Sequence, residues 1–410
     1  MLLPTATVFT TLLFAAICSI IAIVAGNLGR TLGHANFLAA LGVVALTVLY
    51  GSIRYPLDSI LRAIIYLNWM CHSGLTKELQ KVRLFFHAHT ARNIFAPMKC
   101  GGNLPGWHVL PAGKVAWIAA TKSPMDDSET SGDNAQFHSA CDQALAEADR
   151  VVIFFHGVGG CRGGVGLPMA APSGRVTCKR ALATHFNCHV VSFEYRGFGD
   201  ATNYGPSSAA IPSEQSIAED ATTAWEWVNS RVGPKCKVVF YAQSLGCAVA
   251  LRLASDVVKV TPSIAKRFYL VLDAPFTSLA AAALVHPFGQ LTARLLGVVG
   301  YDESQKAKII ASILARIPDK WENEERFVTL AEQGVSILSL CKEEDEVVPS
   351  SMSRELTNLV SVDGNGSSSP RVAPRLAVIK GRTKVLKRHH IDACTSPEWL
   401  TTLGDFLGQI

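Results

Sequence analysis

The stretch at residues 238–255, VVFYAQSLGCAVALRLAS, is the part of the sequence that best predicts the fold of this chain. An apolar, β-branched run leads into the segment 242–246 (AQSLG) and then directly into an Ala- and Leu-rich stretch that is typical of a helix. Small residues two before and two after a serine indicate a sharp strand-to-helix turn, because larger side chains would collide with the neighbouring strand and helix. We therefore predict that this turn presents Ser244 as a nucleophile, although Ala242 stands where glycine is usual.

The composition limits the class of protein. The 410 residues suit one large α/β domain with an appendage, and the formal net charge of +5 is mild. No Lys- and Arg-rich block with interleaved aromatic residues points to a nucleic-acid partner. The 11 cysteines are scattered, several of them in apolar runs, which indicates mostly reduced core residues. Without CxxC or HxxEH spacing, a mechanism that needs no metal or cofactor is the simplest hypothesis.

Short β-branched runs alternate with helical patterns along most of the chain. This alternation predicts an α/β fold with a mostly parallel sheet flanked by helices. We expect the strands to begin near Lys114, Arg150, Cys188, Cys236, Arg267, Val335 and Arg375. A helix is predicted to begin at a capping box of Ser216 and Glu219. The last helix should begin at Ser396, with Pro397 in its first position.

The N-terminal region predicts a membrane anchor. Residues 7–26 are uncharged and long enough to cross a hydrocarbon core of about 30 Å, and residues 36–53 lie at the lower length limit. We expect residues 1–90 to hold one or two transmembrane helices and residues 110–410 to form the catalytic domain. A cleaved signal peptide is the competing interpretation, but its basic leader is missing. The protein should be an integral membrane protein, and the endoplasmic reticulum is one candidate location.

A glycine-rich stretch, FFHGVGG at residues 154–160, directly follows a predicted strand. Its glycines would let the backbone N–H of Val158 face a substrate, and the N–H of Leu245 would supply a second donor to an oxyanion. A phosphate-binding loop is the alternative, but neither GK[ST] nor GxGxxG spacing is present. His156, in the same stretch, is predicted to have a structural role.

A serine nucleophile needs a base and an acid that orients the base. Asp345 follows a predicted strand and precedes Val-Val-Pro, and we favour it over Asp273, which also lies at a strand end. For the base, only His389 and His390 lie between the last strand and the last helix, and we favour His390. Both choices of acid keep the chain order Ser, Asp, His.

Further motifs continue along the chain from about residue 110. They are residues 156–164 (HGVGGCRGG), 195–200 (YRGFGD), 274–277 (APFT), 286–288 (HPF) and 344–349 (EDEVVP). With the Ser-Leu-Gly turn, they resemble the α/β-hydrolase-domain-containing (ABHD) family, in particular its branch of membrane-anchored lysophospholipid and monoacylglycerol lipases. The resemblance implies the α/β-hydrolase fold and a triad of Ser244, Asp345 and His390. It also implies cleavage of a fatty-acyl ester of a glycerolipid through an acyl-enzyme.

Several predictions concern the substrate and its surroundings. Apolar helical stretches between residues 275 and 327 predict a small cap that could line an acyl-chain site. The expected partners are a lipid substrate and a bilayer, and the candidate substrate-binding residues are Arg162, Lys384, Lys387 and Arg388. An acyl-protein thioesterase and a catalytically silent membrane protein of the same fold are the alternatives.

Overall fold

The computed structural model describes residues 57–68, 78–120, 133–164, 174–203, 212–285, 290, 293, 294, 297, 302–315, 319–361, 373–379, 390, 394 and 396–410. At the centre lies an eight-stranded sheet. Its strands are β1 (Ala91–Pro97), β2 (Asn103–Val109), β3 (Arg150–Phe155), β4 (His189–Phe193), β5 (Lys237–Gln243), β6 (Phe268–Asp273), β7 (Ser336–Lys342) and β8 (Arg375–Ile379). Their spatial order is β1-β2-β4-β3-β5-β6-β7-β8.

The sheet is parallel from β4 through β8, and of the described strands only β2 runs against the others. β1 pairs with β2 antiparallel, and β2 pairs antiparallel with β4. All other pairings are parallel. The central strands β3, β4 and β5 are almost wholly buried, because helices cover both faces of a parallel sheet. The predicted α/β fold is therefore confirmed.

The described helices lie on both sides of this sheet. They are α1 (Leu57–Tyr66), α2 (Ala112–Ala120), α3 (Asp133–Ala146), α4 (Gly174–His185), α5 (Glu214–Asn229), α6 (Leu245–Val260), α7 (Leu279–Val285), α8 (Glu303–Ala315), α9 (Glu324–Glu332), α10 (Ser350–Ser361) and α11 (Pro397–Leu407). Two large hydrophobic clusters form the core, and a third small cluster lies beneath α2 and α3.

Two local predictions were wrong. The run from Lys114 is the Ala-rich helix α2, in which Ile118 is buried and Val115, three residues earlier on the same face, is partly buried. A strand buried in a sheet would have inward-facing residues at every second position. The α5 helix begins one turn earlier than predicted, at a capping box formed by Ser213 and Ser216. The N-cap of α11 was predicted correctly, because the Ser396 hydroxyl accepts from the Trp399 N–H at 3.1 Å.

The predicted membrane segments at residues 7–26 and 36–53 lie outside the described residues. Among the helices that are described, none combines the length and the apolar character needed to cross a bilayer. The helix α1 packs instead on the domain, where the Tyr66 ring is fully buried in the main hydrophobic cluster. The sheet extends to the N-terminal side of residue 110, because β1 and β2 both belong to it.

The parallel strands bring six chain segments to one edge. The strands β3 to β8 all end there, because parallel neighbours share their carboxyl ends. The register pairs Phe155 with Ala242, Gln243 with Asp273, and Asp273 with Leu340. In open α/β sheets this edge is where ligands bind.

Candidate active site

Ser244 lies on a strained turn between β5 and α6. Its φ of 54° and ψ of −118° place it in a region that L-residues rarely adopt. The Ser244 N–H donates to the carbonyl oxygen of Asp273 at 2.8 Å. A Cβ atom on Gly246 would lie 2.2 Å from the Phe155 carbonyl oxygen, so only glycine fits there. Strain of this kind persists only where the surroundings hold it, and it is common at catalytic sites.

The glycine-rich loop after β3 lies against the serine. A Cβ atom on Gly157 would be 3.0 Å from the Cβ of Ser244. Val158 follows in this loop, and Leu245 is the first residue of α6. The segments that carry the two predicted oxyanion donors, the loop at Gly157 and the start of α6, therefore both adjoin Ser244. The amino end of α6 adds a partial positive charge where an oxyanion would form.

A buried arginine that the sequence analysis did not single out fixes this loop. The Arg175 guanidinium donates to the carbonyl oxygens of Val158 and Cys161, each at 2.9 Å. It also donates to the Oε1 of Gln243 at 3.3 Å. One side chain of α4 thus joins the loop after β3 to the residue that precedes Ser244. No sequence pattern could have found it, because two of these partners are backbone carbonyls.

His390 and Asp345 meet at the same edge of the sheet. The His390 Nδ1 is 2.7 Å from the Asp345 Oδ2. The other oxygen, Oδ1, accepts from the N–H groups of Val347 and Val348, each at 2.9 Å. Burial would raise the pKa of the Asp345 carboxyl, but these bonds to its charged form hold its pKa below the ordinary value. The carboxylate is therefore ionised and fixed in orientation.

The rival acid, Asp273, has a different partner. Its Oδ1 lies 3.2 Å from the Nζ of Lys342, and both side chains are buried. Of the two candidate acids, Asp345 is the one that the structure brings to His390. The rival base, His389, lies outside the described residues.

His156 is enclosed beneath the glycine-rich loop. Its Nε2 is 2.6 Å from the Glu194 Oε1, and its Nδ1 is 2.9 Å from the Gly157 carbonyl oxygen. The ring is completely buried, and burial lowers its pKa even though Glu194 acts in the opposite direction. These contacts fit the structural role predicted for His156.

Arg162 lies in the same buried network. Its guanidinium forms a bidentate pair with Asp200 and a further contact with Glu194 at 3.2 Å, and its carbonyl oxygen accepts from the Lys179 Nζ at 2.7 Å. The residue is only 1% exposed. This placement favours a structural role over the predicted contact with substrate. Burial lowers the pKa of the Lys179 ammonium to about 7.

The other three candidate substrate-binding residues, Lys384, Lys387 and Arg388, lie outside the described residues. In the part of the chain that the structure describes, no group of three His, Cys, Asp or Glu side chains could hold a metal ion.

A serine on a strained strand-to-helix turn, with a His–Asp pair at the carboxyl edge of a mostly parallel sheet, is the arrangement of the serine hydrolases with an α/β fold. The model of the Alpha/beta hydrolase family matches residues 152–357, which is about half of the chain. The chain therefore belongs to this family.

Its relatives confirm the resemblance to the ABHD proteins. The chain is 28% identical over 276 residues to lysophosphatidylserine lipase ABHD12 of Danio rerio, a match that covers 67% of this chain and 59% of that protein. It is 26% identical over 358 residues to protein ABHD12B of Homo sapiens, a match that covers 84% of this chain and 80% of that protein. The chain spans about three fifths of the length of the first of these relatives.

A solved structure confirms the fold. The alpha-beta hydrolase from Vibrio vulnificus superimposes with a TM-score of 0.51 at 14% identity, covering 87% of this chain and 92% of that one. At this identity the likeness concerns the fold alone.

Proposed function

We propose that this protein is a serine hydrolase that cleaves the fatty-acyl ester of a lysophospholipid or a monoacylglycerol. The observation that carries the proposal is the contact of 2.7 Å between His390 and Asp345, at the same sheet edge as the strained turn of Ser244. The relatives support the lipid substrate, because those named ABHD12 are lysophosphatidylserine lipases.

The proposed mechanism follows from the hydrogen-bonding roles of the three side chains. An ionised carboxylate can only accept, so the Nδ1 of His390 must carry the proton that it shares with Asp345. The Nε2 of His390 then has a free lone pair and takes the proton of the Ser244 hydroxyl as its oxygen attacks the acyl carbonyl. The acyl group is transferred to Ser244, and the alcohol leaves with a proton from His390. Water then releases the fatty acid by the same route.

The two proposed oxyanion donors, the N–H groups of Val158 and Leu245, would stabilise the tetrahedral intermediates. A single donor of this kind contributes about 2.7–4 kcal/mol to transition-state stabilisation. The proposal also includes a cap at residues 275–327 over the acyl chain and the cations Lys384, Lys387 and Arg388 near an anionic head group. The N-terminal segments would hold this site beside the bilayer that contains the substrate.

The test begins with labelling by a fluorophosphonate probe. The intact chain should react, and Ser244→Ala should not, which would exclude a catalytically silent protein. Fatty-acid release from lysophosphatidylserine vesicles is then compared with release from a palmitoylated peptide. Faster turnover of the peptide would favour the thioesterase and overturn the lipid assignment.

A further inference from the structure

Lys342 is a buried lysine at the carboxyl end of β7. It is 3% exposed and is the last residue of the run SILSLCK, in which the five residues before it are buried. A buried ammonium group is costly unless it is paired and hydrogen-bonded. Its Nζ donates to the carbonyl oxygen of His390 at 2.6 Å and lies 3.2 Å from the Asp273 Oδ1.

Asp273 is bound at both its backbone and its side chain. Its carbonyl oxygen accepts from the Ser244 N–H at 2.8 Å, and its carboxylate pairs with Lys342. The residue is 2% exposed and ends β6, between β5 and β7. A continuous chain of contacts therefore runs from the Ser244 turn through Asp273 and Lys342 to the backbone of His390.

On the basis of the function proposed above, we propose that Lys342, held by Asp273, is a positioning residue for His390. The Asp345 carboxylate holds the imidazole at Nδ1. Lys342 holds the backbone of the same residue at its carbonyl oxygen. Two points of attachment on different atoms fix both the place of the backbone and the direction of the ring.

The size of the expected effect follows from the geometry of proton transfer. The Nε2 of His390 must meet the hydroxyl of Ser244 within hydrogen-bond reach. A displacement of about 1 Å, even when it originates away from the reacting atoms, can cost about 100-fold in rate. A hydrogen bond from an ammonium group is stronger than a neutral one, so a neutral side chain at position 342 would hold the carbonyl less firmly.

The simpler explanation is that Lys342 only neutralises the buried Asp273 carboxylate. The two explanations differ in what happens when both charges are removed together. A neutral pair no longer carries a buried, uncompensated charge, so stability should return. The hydrogen bond to the His390 carbonyl is not restored, so the placement of the base should remain impaired.

The experiment compares three variants of the full-length chain: Lys342→Met, Asp273→Asn, and the two combined. For Lys342→Met we expect a lower melting temperature and a kcat about 100-fold lower, with KM for a soluble short-chain ester nearly unchanged. Asp273→Asn keeps the donor to His390, so its kcat should fall less. The combined variant should regain the melting temperature while its kcat stays as low as that of Lys342→Met.

The contrary outcomes are distinct. If the combined variant regains both stability and kcat, Lys342 only neutralises Asp273 and the proposal is wrong. Should Lys342→Met fail to fold, the combined variant still supplies the decisive kcat. Fluorophosphonate labelling separates this proposal from the proposed function: an unlabelled intact chain would contradict the function, whereas a labelled chain whose Lys342→Met variant reacts at the same rate contradicts only the positioning role.

Discussion

The backbone N–H of Gly159 donates to the carbonyl oxygen of Tyr66 at 3.1 Å. Gly159 has a φ of 63° and follows Val158 directly. Tyr66 ends α1, the first helix that the structure describes. The loop that carries a proposed oxyanion donor is thus attached to a helix that lies just after the predicted membrane segments.

The Tyr66 side chain binds α1 to a distant part of the chain. Its hydroxyl donates to the Asp319 Oδ2 at 3.0 Å and accepts from the Trp321 Nε1 at 3.0 Å. Arg62, one turn earlier, donates to the same carboxylate at 2.9 Å. All of these groups except Arg62 are buried. A buried polar group that loses its hydrogen-bond partner destabilises the fold by the full desolvation penalty of that group.

We therefore expect Tyr66→Phe to lower the free energy of unfolding by about 1–3 kcal/mol, because it leaves the Trp321 Nε1–H without its acceptor and Asp319 without one donor. Urea unfolding measures this change. Tyr269→Phe, on the partly buried face of β6, is the matched control and should stay within about 0.5 kcal/mol of the parent. Equal effects of the two variants would mean that the hydroxyl of Tyr66 adds nothing specific.

The proposed triad gives a second prediction. Ser244→Ala and His390→Ala should each remove nearly all hydrolysis, and combining them should add little, because the groups act as one unit. Asp345→Asn should lower kcat by about 10⁴-fold, since the amide favours the wrong tautomer of the imidazole. Rates on a soluble ester and thermal unfolding are measured together. A larger loss in Asp273→Asn than in Asp345→Asn would reverse the assignment of the acid.

The contacts of Arg175 predict an effect on the oxyanion loop. Arg175→Met removes the donors to the Val158 and Cys161 carbonyls and should lower kcat by about 100-fold. Arg267 is the matched control, because it also donates to two backbone carbonyls but lies just before β6, at the amino end of the parallel strands. Arg267→Met should lower the melting temperature without a comparable loss of kcat. Similar kcat values for the two variants would contradict the role given to Arg175.

The strands were predictable where the sequence is continuously apolar, as in β5, because both faces of such a strand are buried. The hairpin of β1 and β2 was not predicted. β1 contains Arg92, which is buried against His108, and β2 contains Pro105 and Gly106, so neither strand shows the usual β pattern. These polar pairs form only when the two strands meet.

The residues of the candidate site also differ in whether the sequence could predict them. Ser244, Asp345 and His390 could be proposed from the sequence because each follows a strand in the order that the fold requires. Arg175 and Lys342 were missed, since a buried cation that binds backbone carbonyls has no signature in the residues around it. Contacts of this kind depend on which chain segments the sheet brings together.

A buried pair of imidazoles predicts a loss of stability in mild acid. The His108 Nε2 lies 2.9 Å from the His189 Nδ1, and Arg92 donates to the other nitrogen of His108 at 3.2 Å. Burial lowers the pKa of His189 to about 4, and burial also lowers the pKa of His108. The neutral forms are therefore favoured in the folded state.

The sign of the pH effect follows from these directions. An unfolded histidine titrates near pH 6.5, so between about pH 6.5 and pH 4 the unfolded chain binds more protons than the folded one. The stability is fully present above pH 6.5 and falls as the pH is lowered, by about 2 kcal/mol at pH 5 for His189 alone. Urea midpoints at pH 7 and pH 5 measure it. The loss of stability between pH 7 and pH 5 should be smaller when both histidines are replaced by glutamine. An unchanged loss would mean that other groups cause it.

The last prediction concerns where the folded domain begins. Deleting residues 1–53 removes both predicted membrane segments but keeps α1, whereas deleting residues 1–68 removes α1 as well. The shorter deletion should give a folded protein that reacts with a fluorophosphonate and hydrolyses a soluble ester but no longer sediments with membranes. The longer deletion should lose labelling and stability, because Gly159 loses the carbonyl of Tyr66 and Asp319 loses both of its α1 donors.

Sedimentation after an alkaline carbonate wash, probe labelling and thermal unfolding compare the two truncated chains. If the chain that lacks residues 1–53 stays in the washed membrane pellet, a further integral segment lies beyond residue 53. If the chain that lacks residues 1–68 is labelled as fast as the longer one and melts at the same temperature, α1 does not hold the Gly159 loop. A difference confined to the longer deletion would mean that α1 forms part of the catalytic domain, because both chains lack the same predicted membrane segments.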